Sequence, residues 1–216
     1  MINMLFPKLH KEGYRFLAIA AVVTFVLLLI SNFLGTASLI LTIWVYYFFR
    51  DPERFPINDE NYLVSPADGT ISQIIETSGP TELNLENKKY TRVSIFMNVF
   101  DCHVNRLPST GIIEQIFYKP GKYLNASLDK SSEENERNYV KMTNINGDEL
   151  VLVQIAGLIA RRIVCDVKVN DETKQGSKFG IIRFGSKVDL YFENYQILIK
   201  KNQKTISGET IIAKKI

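Results

Sequence analysis

The string Phe184-Gly185-Ser186-Lys187 lies between two runs of β-branched and aromatic residues. A serine hydroxyl becomes a nucleophile only with an activating base in reach, and two groups qualify: His103, or a carboxylate such as Asp68 in the turn Ser65-Pro66-Ala67-Asp68-Gly69. Read by itself, the Gly185-Ser186 pair also suits a β-bulge or tight turn, since glycine tolerates positive φ and serine favours turns. The chain has two histidines, His10 and His103. His10 lies in a polar lead-in and reads as a surface residue. His103 sits in Phe96-Met97-Asn98-Val99-Phe100-Asp101-Cys102-His103-Val104-Asn105-Arg106-Leu107-Pro108, where an apolar run meets a polar cluster and stops at a proline. Strand ends of this kind are where rigid scaffolds present reactive groups. A structural and a catalytic histidine fit that context equally well. Cys102 and Cys165 show neither CxxC nor metal-ligand spacing, which suits a reducing compartment, and no metal is expected.

These residues must be positioned by β-structure. After Pro52 and Pro56, which interrupt any helix and make residues 50–61 a linker, short β-prone runs alternate with turns at 70–75, 92–99, 111–118, 139–144, 150–155, 163–167, 179–184, 188–191 and 196–199. Asn146-Gly147-Asp148 between two of them predicts a hairpin, and the turn 65–69 leads into a strand. The expected fold is mainly β, a single sandwich-like or barrel-like domain over residues 62–216. The charged stretch 128–138 reads as an exposed loop or short helix.

The N-terminus is of another kind. Residues 1–15 are a polar, basic lead-in, and residues 16–49 carry no charged side chain. That run exceeds a secretory h-region of about 7–15 residues and reads as a retained membrane segment. Residues 16–34 suffice for about one span, Gly35-Thr36-Ala37-Ser38 offers a turn, and residues 39–49, with Trp44, Tyr46 and Tyr47, complete a helical hairpin or a re-entrant element. Lys8, Lys11 and Arg15 precede the run while Arg50 and Arg54 follow it, so the positive-inside rule puts both flanks, and the β domain, on the cytoplasmic side of the cell membrane. A net charge of +3 without a basic tract argues against a nucleic-acid partner.

Taken together, Ser65-Pro66-Ala67-Asp68-Gly69, the cluster 101–108 and Phe184-Gly185-Ser186 resemble the three signature regions of phosphatidylserine decarboxylases, in order and spacing. The resemblance extends to Phe48-Phe49-Arg50-Asp51-Pro52, Glu133-Glu134-Asn135-Glu136-Arg137, Ala160-Arg161-Arg162-Ile163 and Gly208-Glu209-Thr210. It implies a short-form proenzyme that cuts itself between Gly185 and Ser186. Ser186 Oγ attacks the Gly185 carbonyl to give an ester; β-elimination and loss of ammonia then leave a pyruvoyl group, the covalent cofactor, where Ser186 stood. The products are a large chain, 1–185, and a small chain, 186–216, held together as a heterodimer. The implied reaction turns membrane phosphatidylserine into phosphatidylethanolamine and carbon dioxide through a Schiff base to that group. It makes Ser186, His103 and Asp68 catalytic, with His103 as the acid that protonates carbon and Asp68 orienting or assisting a base during cleavage. Asn105 and Arg106 enter as substrate-binding residues for the carboxylate or phosphate, with an exposed structural role for Arg106 equally open. Longer members of the family carry a second histidine where this chain has Arg106, so their full Asp-His-Ser triad does not transfer.

Two other function classes compete. A biotinyl or lipoyl carrier needs a lysine at a hairpin tip, usually beside methionine, and Lys141-Met142 is the one such adjacency. A membrane-anchored binding module would leave the Gly-Ser turn inert. Only the self-processing enzyme yields two fragments of very unequal size.

Overall fold

The computed structural model describes residues 7–122, 134–157, 162–183 and 186–216. The chain divides into two compact units, Met1–Glu53 and Arg54–Ile216.

In the first unit, strand β1 (Lys8–Leu9) pairs with β2 (Arg50–Asp51), and between them run helices α1 (Tyr14–Ile30) and α2 (Asn32–Phe48). The hairpin turns at Ser31 (φ −158°, ψ 129°), four residues earlier than the expected turn at Gly35. Gly35 serves packing instead: a Cβ there would meet Leu28 at 2.3 Å, so glycine lets α2 close on α1. Thr24 Oγ1 bonds both Ser38 Oγ and Thr42 Oγ1 at 2.8 Å, pairing hydroxyls that an apolar setting would otherwise strand. The helices expose apolar side chains such as Leu29 (74%) and Phe33 (79%), and the run Lys11–Ile30 is long and apolar enough to cross a bilayer. His10, expected as a plain surface residue, is buried, and its Nδ1 accepts the Glu12 N–H (3.3 Å) at the start of a 3₁₀ turn.

The second unit is antiparallel β throughout its described strands. They are β3 (Tyr62–Val64), β4 (Gly69–Ser78), β5 (Lys89–Met97), β6 (Val104–Arg106), β7 (Gly111–Lys119), β8 (Arg137–Asn144), β9 (Glu149–Ala156), β10 (Arg162–Cys165), β11 (Glu172–Thr173), β12 (Lys178–Arg183), β13 (Ser186–Phe192), β14 (Tyr195–Ile197), β15 (Lys204–Thr205) and β16 (Ile211–Lys215). Eight form one curled sheet in the order β11-β7-β8-β9-β13-β5-β4-β15. Two three-stranded sheets, β10-β12-β6 and β14-β16-β3, complete the unit. All nine β-prone runs are strands. Those missed, among them β3, β6, β15 and β16, are short or carry polar residues, so local alternation is too brief to mark them. The hairpin at Gly147 (φ +81°) joins β8 to β9 as expected. Of the charged stretch 128–138, residues up to 133 lie outside the described residues, and Arg137-Asn138 begin β8.

Alternation along the central strand β13 divides its side chains. Val188, Leu190 and Phe192 join the main core with Met97, Ile95, Leu152 and Ala156, while Tyr191 joins a smaller cluster on the reverse face with Tyr90, Tyr139 and Val153. All seven β13 residues are buried, as expected of a strand covered on both faces. Lys141 lies within β8, opposite Val151, with its ammonium on Glu114 and Glu149. It is not at a hairpin tip, which removes the basis of the carrier reading.

Candidate active site

Ser186 opens β13. Its neighbours in register are Met97 on β5 and Ala156 on β9, so its backbone is held from both sides. The preceding strand, β12, belongs to a different sheet. The described chain thus leaves one sheet at Arg183 and enters another at Ser186. Phe184 and Gly185 lie outside the described residues.

The side chain of Ser186 is fully buried, and its Oγ has no hydrogen-bond partner among the described residues. An unmade bond of this kind costs about 1–3 kcal/mol. Lys187 and Asp189 alternate to the reverse face, where Lys187 Nζ stands 3.7 Å from Asp189 Oδ1.

His103 is set by the loop after β5. Asn98 builds a tight turn there, accepting the Phe100 N–H on its side chain (2.8 Å), while its own N–H goes to Asp101 Oδ2 (2.9 Å). His103 is fully buried, and its Nδ1 lies 3.0 Å from the Asp101 carbonyl. A carbonyl only accepts, so Nδ1 carries the hydrogen in that bond and Nε2 is the nitrogen of the neutral ring able to take up a proton. The His103 carbonyl accepts from the Ile182 N–H (3.4 Å), tying it to strand β12.

Asn105 is fully buried. Its Oδ1 accepts from Gln154 Nε2 (2.8 Å), Gln154 Oε1 accepts from Asn138 Nδ2 (2.9 Å), and Asn105 Nδ2 points at Met97 Sδ (3.6 Å), beside the register partner of Ser186. This buried amide relay joins β6, β9 and β8 beneath Ser186. Its importance was illegible beforehand, because Gln154 sits singly in an apolar run and Asn138 closes a charged stretch. Gln154→Leu strands the Asn105 and Asn138 amides, and at about 1–3 kcal/mol for each lost partner it should lower the thermal midpoint by about 4–24 °C. A midpoint unchanged in calorimetry would refute the relay's structural weight.

Asp68 occupies the expected turn. Both its oxygens accept from Arg54 Nη2 (3.0 and 2.7 Å), and Oδ1 also accepts the Ser207 N–H (2.8 Å). The turn's carbonyls are held too: Thr205 Oγ1 donates to Ala67 O (3.1 Å) and Ser207 Oγ to Pro66 O (3.1 Å). Gly69 is obligatory, since a Cβ would lie 2.3 Å from the Phe96 carbonyl. Strand β5 separates β4 from β13, which places the Asp68 and Ser186 backbones about 10 Å apart at two strand spacings. Arg106 is 7% exposed, donates from Nη1 to Gly176 O (3.0 Å) and packs beside Gly208. Thus Asn105 reaches Met97, the register partner of Ser186, and His103 is tied to β12, whereas Asp68, Arg54 and Arg106 form a group at the 65–69 turn. Arg54 is the residue sequence reasoning passed over; a basic residue in a proline-flanked linker carries no local signal of an ion pair.

The family model for phosphatidylserine decarboxylase matches residues 41–213. A phosphatidylserine decarboxylase proenzyme of Pelagibacter ubique is 63% identical over 215 residues, covering 100% of both chains. Those of Rickettsia typhi and Rickettsia prowazekii are each 52% identical over 213 residues, 98% of this chain and 92% of theirs. With a match of this length and identity, the chain belongs to the phosphatidylserine decarboxylase family.

Proposed function

We propose that this chain is a self-processing proenzyme that decarboxylates phosphatidylserine to phosphatidylethanolamine at a membrane, using a pyruvoyl group made from Ser186. The observation that carries the reading is Ser186 itself: a buried hydroxyl without a partner among the described residues, directly after Gly185, on a strand whose position does not depend on what precedes it. These features fit the group, since a cut between residues 185 and 186 leaves β13 paired on both sides.

Processing begins with attack of Ser186 Oγ on the Gly185 carbonyl carbon, the hydroxyl proton passing to a base for which His103 Nε2 is the group proposed. Asp68 acts at one remove, fixing Arg54 and the 65–69 turn. The two products stay together as a heterodimer because the small chain is woven through the large one: β13 lies between β5 and β9, β15 pairs with β4, and β16 with β3. The pyruvoyl group, once formed, supplies a carbonyl that accepts the electron pair released with carbon dioxide. His103 Nε2 then delivers a proton to the carbon that lost its carboxylate, and the burial of His103 excludes water from that step. Asn105 holds the strand end in place through Met97 and Gln154, and Arg106 adds positive charge beside the Asp68 turn, toward the acidic substrate.

A lipid substrate requires the site to meet a bilayer. Three exposed apolar side chains are chain neighbours of the site residues: Phe100 (65%) in the turn before His103, Phe55 (76%) beside Arg54, and Ile206 (44%) beside Ser207. Together with α1 and α2 they provide the membrane contact, with the β unit on the cytoplasmic side by the charge of the flanks. A chain beginning at Arg54 is expected to leave the membrane fraction yet still process and adsorb weakly to vesicles. A chain beginning at Asn58 lacks Arg54 and should process more slowly. Equal processing of the two would show that the Arg54–Asp68 pair has no part in cleavage.

The test of the whole reading is intact mass. Purified protein should give residues 1–185 and a small chain whose N-terminal residue has lost the serine nitrogen and carries a ketone, and it should release carbon dioxide from phosphatidylserine. An uncleaved chain with full activity would overturn it.

A further inference from the structure

Strand register decides where the backbone nitrogen of residue 186 points. In an antiparallel sheet, cross-strand pairs alternate between those that exchange both N–H···O bonds and those that exchange none, so the N–H and C=O of one residue leave on the same side. The Ala156 N–H donates to the Glu136 carbonyl (3.0 Å) and the Ala156 carbonyl accepts from Asn135 Nδ2 (2.8 Å), so the polar groups of Ala156 face β8 and not β13. On the other flank, the Phe96 carbonyl faces β4, since a Cβ on Gly69 would lie 2.3 Å from it, and the Ser94 carbonyl accepts from Ser72 Oγ (3.1 Å). Residues 94 and 96 therefore face β4, and Met97 faces β13. Of the two register partners of Ser186, Ala156 exchanges no backbone bond with it and Met97 exchanges both. The Ser186 N–H donates to the Met97 carbonyl, and the Ser186 carbonyl accepts from the Met97 N–H.

In the uncut chain, then, the Met97 carbonyl holds the nitrogen of the bond that is to be broken. Processing as proposed above removes that nitrogen. Elimination takes the Cα proton of residue 186 and breaks its Cβ–Oγ bond, releasing the Gly185 carboxylate; the resulting enamine takes up a proton at Cβ, water adds at the former Cα, and the nitrogen leaves as ammonia. The bond from the Met97 N–H survives, because residue 186 keeps its carbonyl. The Met97 carbonyl, on a fully buried residue, loses the donor that the strand pairing supplied. It still points at the atom that bore the nitrogen, and that atom is now the ketone carbon to which a substrate amine binds. The peptide after Met97 is polarised in the same sense: the Asn98 N–H donates to Asp101 Oδ2 (2.9 Å), and a carboxylate on the N–H makes the carbonyl of that peptide a stronger acceptor.

We propose that the backbone of Met97 is the subsite for the primary amine of the substrate: its carbonyl accepts an N–H of the incoming nitrogen, in the place of the nitrogen that processing expelled, while its own N–H keeps the carbonyl of residue 186 in line. This rests on the reading of Ser186 as the source of the pyruvoyl group. One strand pair thereby serves twice, first holding the scissile amide and then orienting the substrate nitrogen against the same carbon. In the linear chain Met97 is one more apolar residue, and its side chain does join the main core. Its role is carried by backbone atoms and by the phase of the pairing, neither of which its residue type reveals.

The experiment uses the processed full-length protein in detergent, grown with methionine that carries carbon-13 in its carbonyl. It is incubated with short-chain phosphatidylethanolamine labelled with nitrogen-15, and cyanoborohydride reduction fixes the amine on the small chain, where intact mass counts the adduct. Rotational-echo solid-state NMR then reads the carbon–nitrogen dipolar coupling. A hydrogen bond of about 2.9 Å onto a carbonyl of about 1.23 Å puts the two labels about 4 Å apart. A second sample with nitrogen-15 in asparagine assigns the resonance without any substitution, since Met97 alone among the four methionines precedes an asparagine. The expected result is dephasing of the Met97 carbonyl at about that distance, with the other methionine carbonyls unaffected. A small chain that bears no ketone overturns the reading of Ser186 and this proposal with it. A ketone-bearing small chain that forms no adduct, or an adduct that leaves the Met97 carbonyl undephased, overturns this proposal alone.

Discussion

Ser186→Ala should yield an uncut 216-residue chain with no detectable decarboxylase activity and a thermal midpoint above that of the parent. The first two effects follow from chemistry, because the variant lacks the nucleophile for cleavage and the atoms from which the ketone is made. The third follows from packing. The uncut proenzyme buries a hydroxyl that has no partner among the described residues, and alanine removes that group while keeping the Cβ that packs between Met97 and Ala156. Relative to that proenzyme, relief of about 1–3 kcal/mol corresponds to about 2–12 °C for a domain of this size, and over the cut parent the variant keeps the further advantage of an intact backbone. Denaturing electrophoresis and calorimetry suffice. Normal two-chain product in the variant would eliminate the cleavage site, and a lowered midpoint would mean that Oγ is a structural donor or acceptor.

His103→Ala is expected to reduce carbon dioxide release by about 10²–10⁴-fold per pyruvoyl-bearing chain, the usual effect of removing a positioned general acid, and to slow processing as well. Both follow from one geometry. In the mechanism proposed above, Nδ1 donates to the Asp101 carbonyl, and Nε2 takes a proton from Ser186 during cleavage and returns one to carbon during turnover. Asp68→Ala should mainly block processing, since its carboxylate organises Arg54 and the N–H of Ser207 at the turn. A time course of fragment appearance, alongside carbon dioxide release normalised to the small chain, separates the two roles. If His103→Ala processes at the parent rate and decarboxylates normally, the histidine is structural. If only processing survives, the cleavage base lies elsewhere.

What was readable in the residues was whatever depends on near neighbours along the chain. β-branched alternation marked nine of the described strands, the charge-free run 16–49 marked the paired helices, and Asn146-Gly147 marked the hairpin, because period and turn chemistry act over a few residues. Three motifs in fixed order were enough to place the chain in its family. Their arrangement in space was another matter. Ser186 lies where the chain leaves one sheet for another, and that position exists only once β13 has inserted between β5 and β9. The same non-local pairing gives Asp68 the partners Arg54 and Ser207 from distant parts of the chain, and it puts β5 between Asp68 and Ser186. It also turns Gly35 from an expected turn residue into a contact point, since the approach of α1 to α2 outweighs the local tendency of glycine to end a helix. Register and sheet order are set by burial of whole strand faces, a sum over contacts far apart in sequence, so the partners of Ser186, His103 and Asp68 were decided by the tertiary structure alone.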